Sequence, residues 1–99
     1  MKKFEIFQWG TKHGHSKGWL ELLTNSKKIN FNGLFEPDLK RKNLLLDSED
    51  KIWKDIRWID NIDEVLKNKK IDIVFIEESN EKSLEVLEIC INNNYDSNN

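Results

Sequence analysis

Cysteine and proline each occur once in this 99-residue chain, and glycine only four times. The lone Cys90 excludes an internal disulfide framework and suits a reducing compartment, so a cytoplasmic location is expected. Long hydrophobic runs are missing: nothing approaches the ~20 apolar residues of a membrane span. No signal-peptide core follows Met1-Lys2-Lys3, and no membrane partner is expected. A dominant charge is missing too. Sixteen Lys and Arg face eighteen Asp and Glu, for a net charge of −2, and the lysines are spread along the chain. This balance gives no footprint for nucleic acid. The length and a 37% hydrophobic content fit one small domain with a modest core. The domain is expected over 1–94. The asparagine-rich end, "NNNYDSNN", is expected to leave 95–99 as a disordered tail.

What is present is an alternation. Phe4, Ile6, Phe7 and Trp9 form a short run of strand formers that stops at Gly10. Trp19, Leu20, Leu22 and Leu23 then recur at helical spacing, predicting a helix from about Gly14 to Asn25. "KINFNGLF" reads as a second strand ending at Glu36. Pro37 and Asp38 are start signals for a short helix whose apolar side is Leu39 with Leu44 to Leu46. "IRWI", Ile56 to Ile59, is a candidate third strand, and "DNIDEVLKNKK" a helix with acids early and lysines late. "IDIVFIE" is the strongest strand, apolar enough to be buried on both faces of a parallel sheet. In "NEKSLEVLEICINN", Leu84, Leu87 and Ile91 form one helical stripe, with Val86 and Cys90 beside it.

The order β-α-β-α-β-α-β-α predicts an α/β fold. It is a Rossmann-like three-layer α/β/α arrangement with a short parallel sheet of about four strands. Strands are expected near residues 3–9, 29–35, 56–59 and 72–77, in the spatial order 3-2-1-4. Such sheets bind ligands beyond the carboxyl ends of their strands.

Three of the four glycines fall in "WGTKHGHSKGW", where the first strand hands over to the first helix. A dinucleotide fingerprint there is G-x-G-x-x-G/A, with glycines for the turn, the close approach of pyrophosphate and helix–strand packing. The helix N-terminus adds free N–H groups for phosphate. Gly10 fills the first place, Lys12 stands at the second and His15 at the third, with Gly14 one residue early. Glu36 lies at the end of the second strand, about where an acid accepts hydrogen bonds from a ribose and disfavours a 2′-phosphate. It is either that ligand or only a strand-end acid. His13 and His15 give at most two metal ligands, against the three or four of a zinc site, and no metal is expected. Cys90, on the apolar side of its helix, is expected to be a core thiol rather than a nucleophile.

Taken in order, these residues resemble the N-terminal domain of the glucose-fructose oxidoreductase, inositol dehydrogenase and MocA (Gfo/Idh/MocA) family. Gly10, Thr11, His13, His15 and Gly18 stand in a pattern like "GTGHxHAxG". "LFEPD" ends strand two as the family's acid does, and "RWIDNIDEVLKN" sits where "sxxELL" is found. "IDIVFIEESNEKS" is similar to "vDaVvIatPNxxH", with Asp72, Val74, Ile76 and Asn80 matching. The resemblance implies an NAD (or NADP) cofactor. Gly10, Thr11, Lys12, His13 and Gly14 would line its phosphates, Glu36 would hold the adenosine ribose, and Ser79 and Asn80 would border the nicotinamide.

The departures are Lys12 for a glycine, Glu77, Glu78 and Ser79 for a small residue, threonine and proline, and Ser83 for histidine. Two carboxylates there would repel a pyrophosphate unless they point away. The family's "EKP" segment with its catalytic lysine is not in the 99 residues. No catalytic residue is therefore expected within them, and a partner chain or further sequence would supply the substrate domain. Two alternatives stay open: a non-catalytic protein-interaction module on an eroded Rossmann scaffold, and a small domain binding sugar nucleotide or coenzyme A.

Overall fold

A computed structural model describes residues 3–12, 16–68, 70–92 and 96–98. Its centre is three parallel strands, β1 (Phe4–Trp9), β2 (Ile29–Phe35) and β3 (Ile73–Ile76). They lie in the order β2-β1-β3, with a three-residue β4 (Asp96–Asn98) beside β3. The sequence places no element at 96–98. Ladder hydrogen bonds continue past the ends of β3: Asp72 N–H donates to Glu5 O at 2.7 Å and Glu77 N–H to Trp9 O at 2.8 Å. The Asp72 carboxylate also accepts the Glu5 N–H at 2.8 Å.

The expected third strand is a correction. Residues 56–59 make one parallel bridge, Trp58 with Leu34, on the outer side of β2. The position agrees with the predicted order, but the pairing does not extend. Ile56 closes a single helical turn, α3 (Ile52–Asp55), and the chain is extended only from there. Leu34 N–H donates to Arg57 O and Ile59 N–H to Leu34 O, at 2.9 and 2.8 Å. Nearby, Arg57 Nη1 donates to Asn32 O at 3.3 Å.

Gly33, at φ +145°, explains a break in register in which Ile6 pairs with Phe31 but Phe7 pairs with Gly33. The extra residue is a bulge. The missing Cβ leaves room for the Ile59 side chain, which would otherwise collide with it.

Alternating strand residues feed two cores. Phe7, Trp9, Val74 and Ile76 join Ile59, Val65, Leu66, Ile71, Val86 and Cys90 in the larger one, with Phe35 against it. This core lies under α4 (Asp63–Leu66) and α5 (Asn80–Asn92). On the other face Leu34 meets Leu20 of α1 (Ser16–Asn25) and Trp53 of α3. Leu45 of α2 (Leu39–Asp47) packs against that second core. The sheet is thus covered on both faces, as its apolar strands require.

The helices differ from their predicted apolar sides. On α5 the buried residues are Ser83, Val86 and Cys90, while Leu84 and Ile91 are exposed. On α2 no residue is fully buried, and Leu39 and Leu44 face water. The predicted helix in "DNIDEVLKNKK" is only the single turn α4.

Candidate functional site

β1 ends at Trp9, and the chain turns at Gly10 with φ +95°, a backbone conformation that side chains other than glycine's rarely adopt. Gly10 N–H donates to Phe35 O at 2.7 Å, tying the turn to the end of β2. Thr11 follows, fully buried, and is the hub of the site. Its N–H and Oγ1 donate to Glu36 Oε1 at 3.0 and 2.5 Å. Its carbonyl accepts from Ser16 Oγ and Arg41 Nη2, each at 2.8 Å. Arg41 Nε donates to Thr11 Oγ1 at 3.0 Å.

Glu36 is buried where β2 ends. Its second oxygen accepts the Asp38 N–H at 2.9 Å. Asp38 caps α2 through hydrogen bonds from the Lys40 and Arg41 N–H groups, at 3.1 and 3.3 Å. Asp38 also pairs with Lys12 Nζ at 3.1 Å, with both side chains partly exposed. This contact holds the Asp38 carboxyl below its ordinary range, with the Arg41 N–H adding to the effect, and raises the Lys12 ammonium. The Lys12 ammonium is thus turned to Asp38, and its charge is offset by that neighbour.

The third wall comes from the residues after β3. Glu77 and Glu78 are both buried. The Glu78 side chain lies directly against Gly10, in the space a Cβ there would need. Glu78 is only 4% exposed, and among the described residues its Oε1 has no hydrogen-bond partner. Burial pushes its carboxyl up from the usual range, helped by Glu36 and Asp38 and opposed by Lys12 and Lys82. The Glu78 carbonyl accepts from Ser83 Oγ at 3.2 Å, and Ser83 N–H donates to Ser79 O at 2.9 Å. These bonds fix the start of α5 beside the crevice. They also explain why a serine can sit on the buried side of that helix.

Of the residues expected from sequence, Gly10, Thr11, Lys12 and Glu36 come together around one turn. Ser79 is exposed at the opposite wall, and Asn80 opens α5. His13 and Gly14 lie outside the described residues. Arg41 was not foreseen, because its role depends on how α2 leans on the loop. Ser16 was not foreseen either; a small hydroxyl residue at a helix start is its only signal.

From β1 the chain passes to β2 on one side and to β3 on the other. The crevice at the carboxyl ends of β1 and β3 is thus the topological switch point of the sheet. Among the described residues no three or more His, Cys, Asp or Glu side chains are placed to hold a metal ion. None of their helices is long and apolar enough to cross a membrane.

No family model matches this chain, and no curated protein matches its sequence. Solved structures do match. The Bacillus subtilis protein yvaA, named as an oxidoreductase, superposes with a TM-score of 0.69 at 11% identity. That match covers 97% of this chain and 26% of yvaA. An NAD-binding protein from Listeria innocua superposes with a TM-score of 0.59 at 14% identity, over 98% of this chain and 34% of its own. The likeness is one of fold. This chain spans about a quarter and a third of the two proteins it resembles.

Proposed function

We propose that this chain is a nucleotide-binding domain of the kind that holds NAD(P) in an oxidoreductase, akin to the cofactor half of a Gfo/Idh/MocA enzyme. The observation that carries the reading is the meeting of Gly10, Glu36 and the Glu77–Ser79 segment at the switch point of a parallel sheet. The fold shared with an NAD-binding protein supports it. In this reading Gly10, Thr11, Lys12, His13 and Gly14 would border the phosphates, Glu36 would hold the ribose, and Ser79 and Asn80 would border the nicotinamide. NAD(P), when bound, supplies hydride chemistry. These residues bind and orient, and the catalytic groups come from a substrate domain on a partner chain or in further sequence.

The fit is uneven. At the ribose end Glu36 accepts three hydrogen bonds, which leaves about one of a carboxylate's four acceptor positions for a hydroxyl. At the phosphate end Glu78 stands on Gly10, so the cradle does not fit a pyrophosphate while that side chain is there. This same observation favours the second reading, a non-catalytic interaction module on an eroded scaffold.

Calorimetric titration with NADH and NADPH separates the two readings. Saturable binding that prefers NADH supports the nucleotide reading, since Glu36 disfavours a 2′-phosphate. Absence of binding by both the natural chain and Glu78→Ala, up to millimolar dinucleotide, would leave the interaction module as the better account.

A further inference from the structure

We infer that Glu78 is the residue that sets the crevice's affinity for phosphate: a phosphate-bearing ligand enters only when the Glu78 side chain leaves Gly10. The inference rests on the nucleotide-binding reading for the identity of the ligand, but not for the role of Glu78.

Three observations carry it. The Glu78 Cγ, Cδ and Oε1 atoms all lie within 3 Å of where a Gly10 Cβ would be, so the space that glycine opens is already filled. The side chain is 4% exposed and its Oε1 is unpartnered among the described residues. A buried, unpaired carboxylate oxygen is costly, and its Oε1 gains no hydrogen bond among the described residues by staying. The positive groups nearest the turn are committed elsewhere, Lys12 to Asp38 and Arg41 to Thr11. The turn therefore offers an anion little attraction while Glu78 supplies repulsion. A side chain that blocks the cradle and gains no bond by doing so is a displaceable occupant. Glu36 and Thr11, by contrast, are held by several bonds each and are fixed parts of the site.

The crevice is then a two-state element. With Glu78 inward it excludes phosphate, and with Glu78 outward it exposes the Gly10 turn. If only about one molecule in ten is open, apparent affinity is about tenfold below that of the open crevice.

The test uses the full chain, with Glu78→Ala and Glu78→Gln, and two probes, inorganic pyrophosphate and NADH, measured by calorimetry. Urea midpoints confirm that each variant folds. Should Glu78→Ala not fold, Glu78→Gln stands in, since it keeps the shape and removes the charge. Expected is a gain of about tenfold or more for pyrophosphate with Glu78→Ala and a smaller gain with Glu78→Gln. If Glu78→Ala gains for pyrophosphate and NADH binds, both the inference and the nucleotide reading stand. If it gains for pyrophosphate while NADH binds to neither protein, Glu78 has the assigned role and the dinucleotide reading falls. If NADH binds the natural chain and the variants equally, the inference is overturned and the reading stands. If no probe binds any protein, both are overturned.

Discussion

Replacing Glu36 with alanine should cost far more than a surface carboxylate does, because its oxygens hold the turn together. Thr11 N–H and Oγ1 lose one acceptor at 3.0 and 2.5 Å, and Asp38 N–H loses another at 2.9 Å. Thr11 is fully buried, so water cannot take the place of the carboxylate there; Asp38 is half-buried and recovers part of its loss. A hydrogen bond to a charged group is worth ~1.5–3 kcal/mol, and stranding a buried donor costs ~1–3 kcal/mol, which sums to about 2.5–6 kcal/mol for Glu36→Ala. Glu36→Gln retains one acceptor oxygen but turns an NH₂ toward one set of donors, for about half that loss. A domain of this size is stable by only ~5–15 kcal/mol, so the alanine variant should sit near the edge of folding. Urea denaturation followed by tryptophan fluorescence reads the effect. At a slope of ~1–2 kcal/mol per M the midpoint should fall by ~1.2 M or more for alanine. If both midpoints stay within ~0.5 M of the natural chain, the hydrogen bonds do not hold the turn and the reasoning fails.

Further outcomes follow from other parts of the structure. Leu34→Ala, which empties a fully buried position between Leu20 and Trp53, should cost about 2–5 kcal/mol in urea; a loss under ~1 kcal/mol would mean that this second core is not closely packed. Glu78→Gln should stabilise the protein at neutral pH, because it removes a charge that burial disfavours. Because the folded value of Glu78 lies above 4.5, the folded state holds the proton more tightly. Stability from this group is full below 4.5 and lost as pH rises through the folded value, so the advantage of the variant should vanish in acid. An advantage that persists below pH 4 would point to another cause. Burial pushes the Cys90 thiol up to about 11 from 9.0. A thiol reagent at pH 8 should therefore react slowly with the native protein and quickly in urea, and the stability held by the buried thiol should decline between about pH 9 and 11. Equal labelling rates in both states would place Cys90 outside the core.

The sheet was legible wherever strand pattern and burial agree. β1 and β3 are runs of strand formers packed on both faces, and no helical reading of them competes. Ile56 to Ile59 has the same chemistry but failed as a strand. It follows directly on a helical turn, and its backbone bridges β2 at Leu34 alone among the described residues. Strand propensity describes a fit to a pleated surface, and here little of that surface is offered. On α5 the leucine periodicity pointed to the wrong stripe. Ser83 is accommodated inside because its hydroxyl has the Glu78 carbonyl to donate to, a partner that no spacing rule reveals. In the crevice, Gly10, Thr11 and Glu36 were legible from their order along a βαβ chain. The direction of Glu78 was not. A carboxylate after β3 could face solvent or the turn, and the choice depends on packing between elements far apart in sequence. Arg41 was hidden for the same reason.

The single bridge beside Leu34 also bears on how the edge of the sheet is guarded. Beyond it, the first half of β2 is the open rim of the sheet, where unpaired backbone groups invite a strand from another molecule. The chain supplies its own blockers. The Arg57 guanidinium occupies the Asn32 carbonyl, and the Asn32 amide folds back onto the Asn30 carbonyl at 3.1 Å. Of these two acceptors the Asn32 carbonyl, held by a charged side chain, is the one at the rim; the Asn30 carbonyl faces β1, where Asn30 pairs with Glu5. The Gly33 bulge bends the strand at the same place. The irregularity that ends the sheet after one bridge thus also guards its margin against self-association.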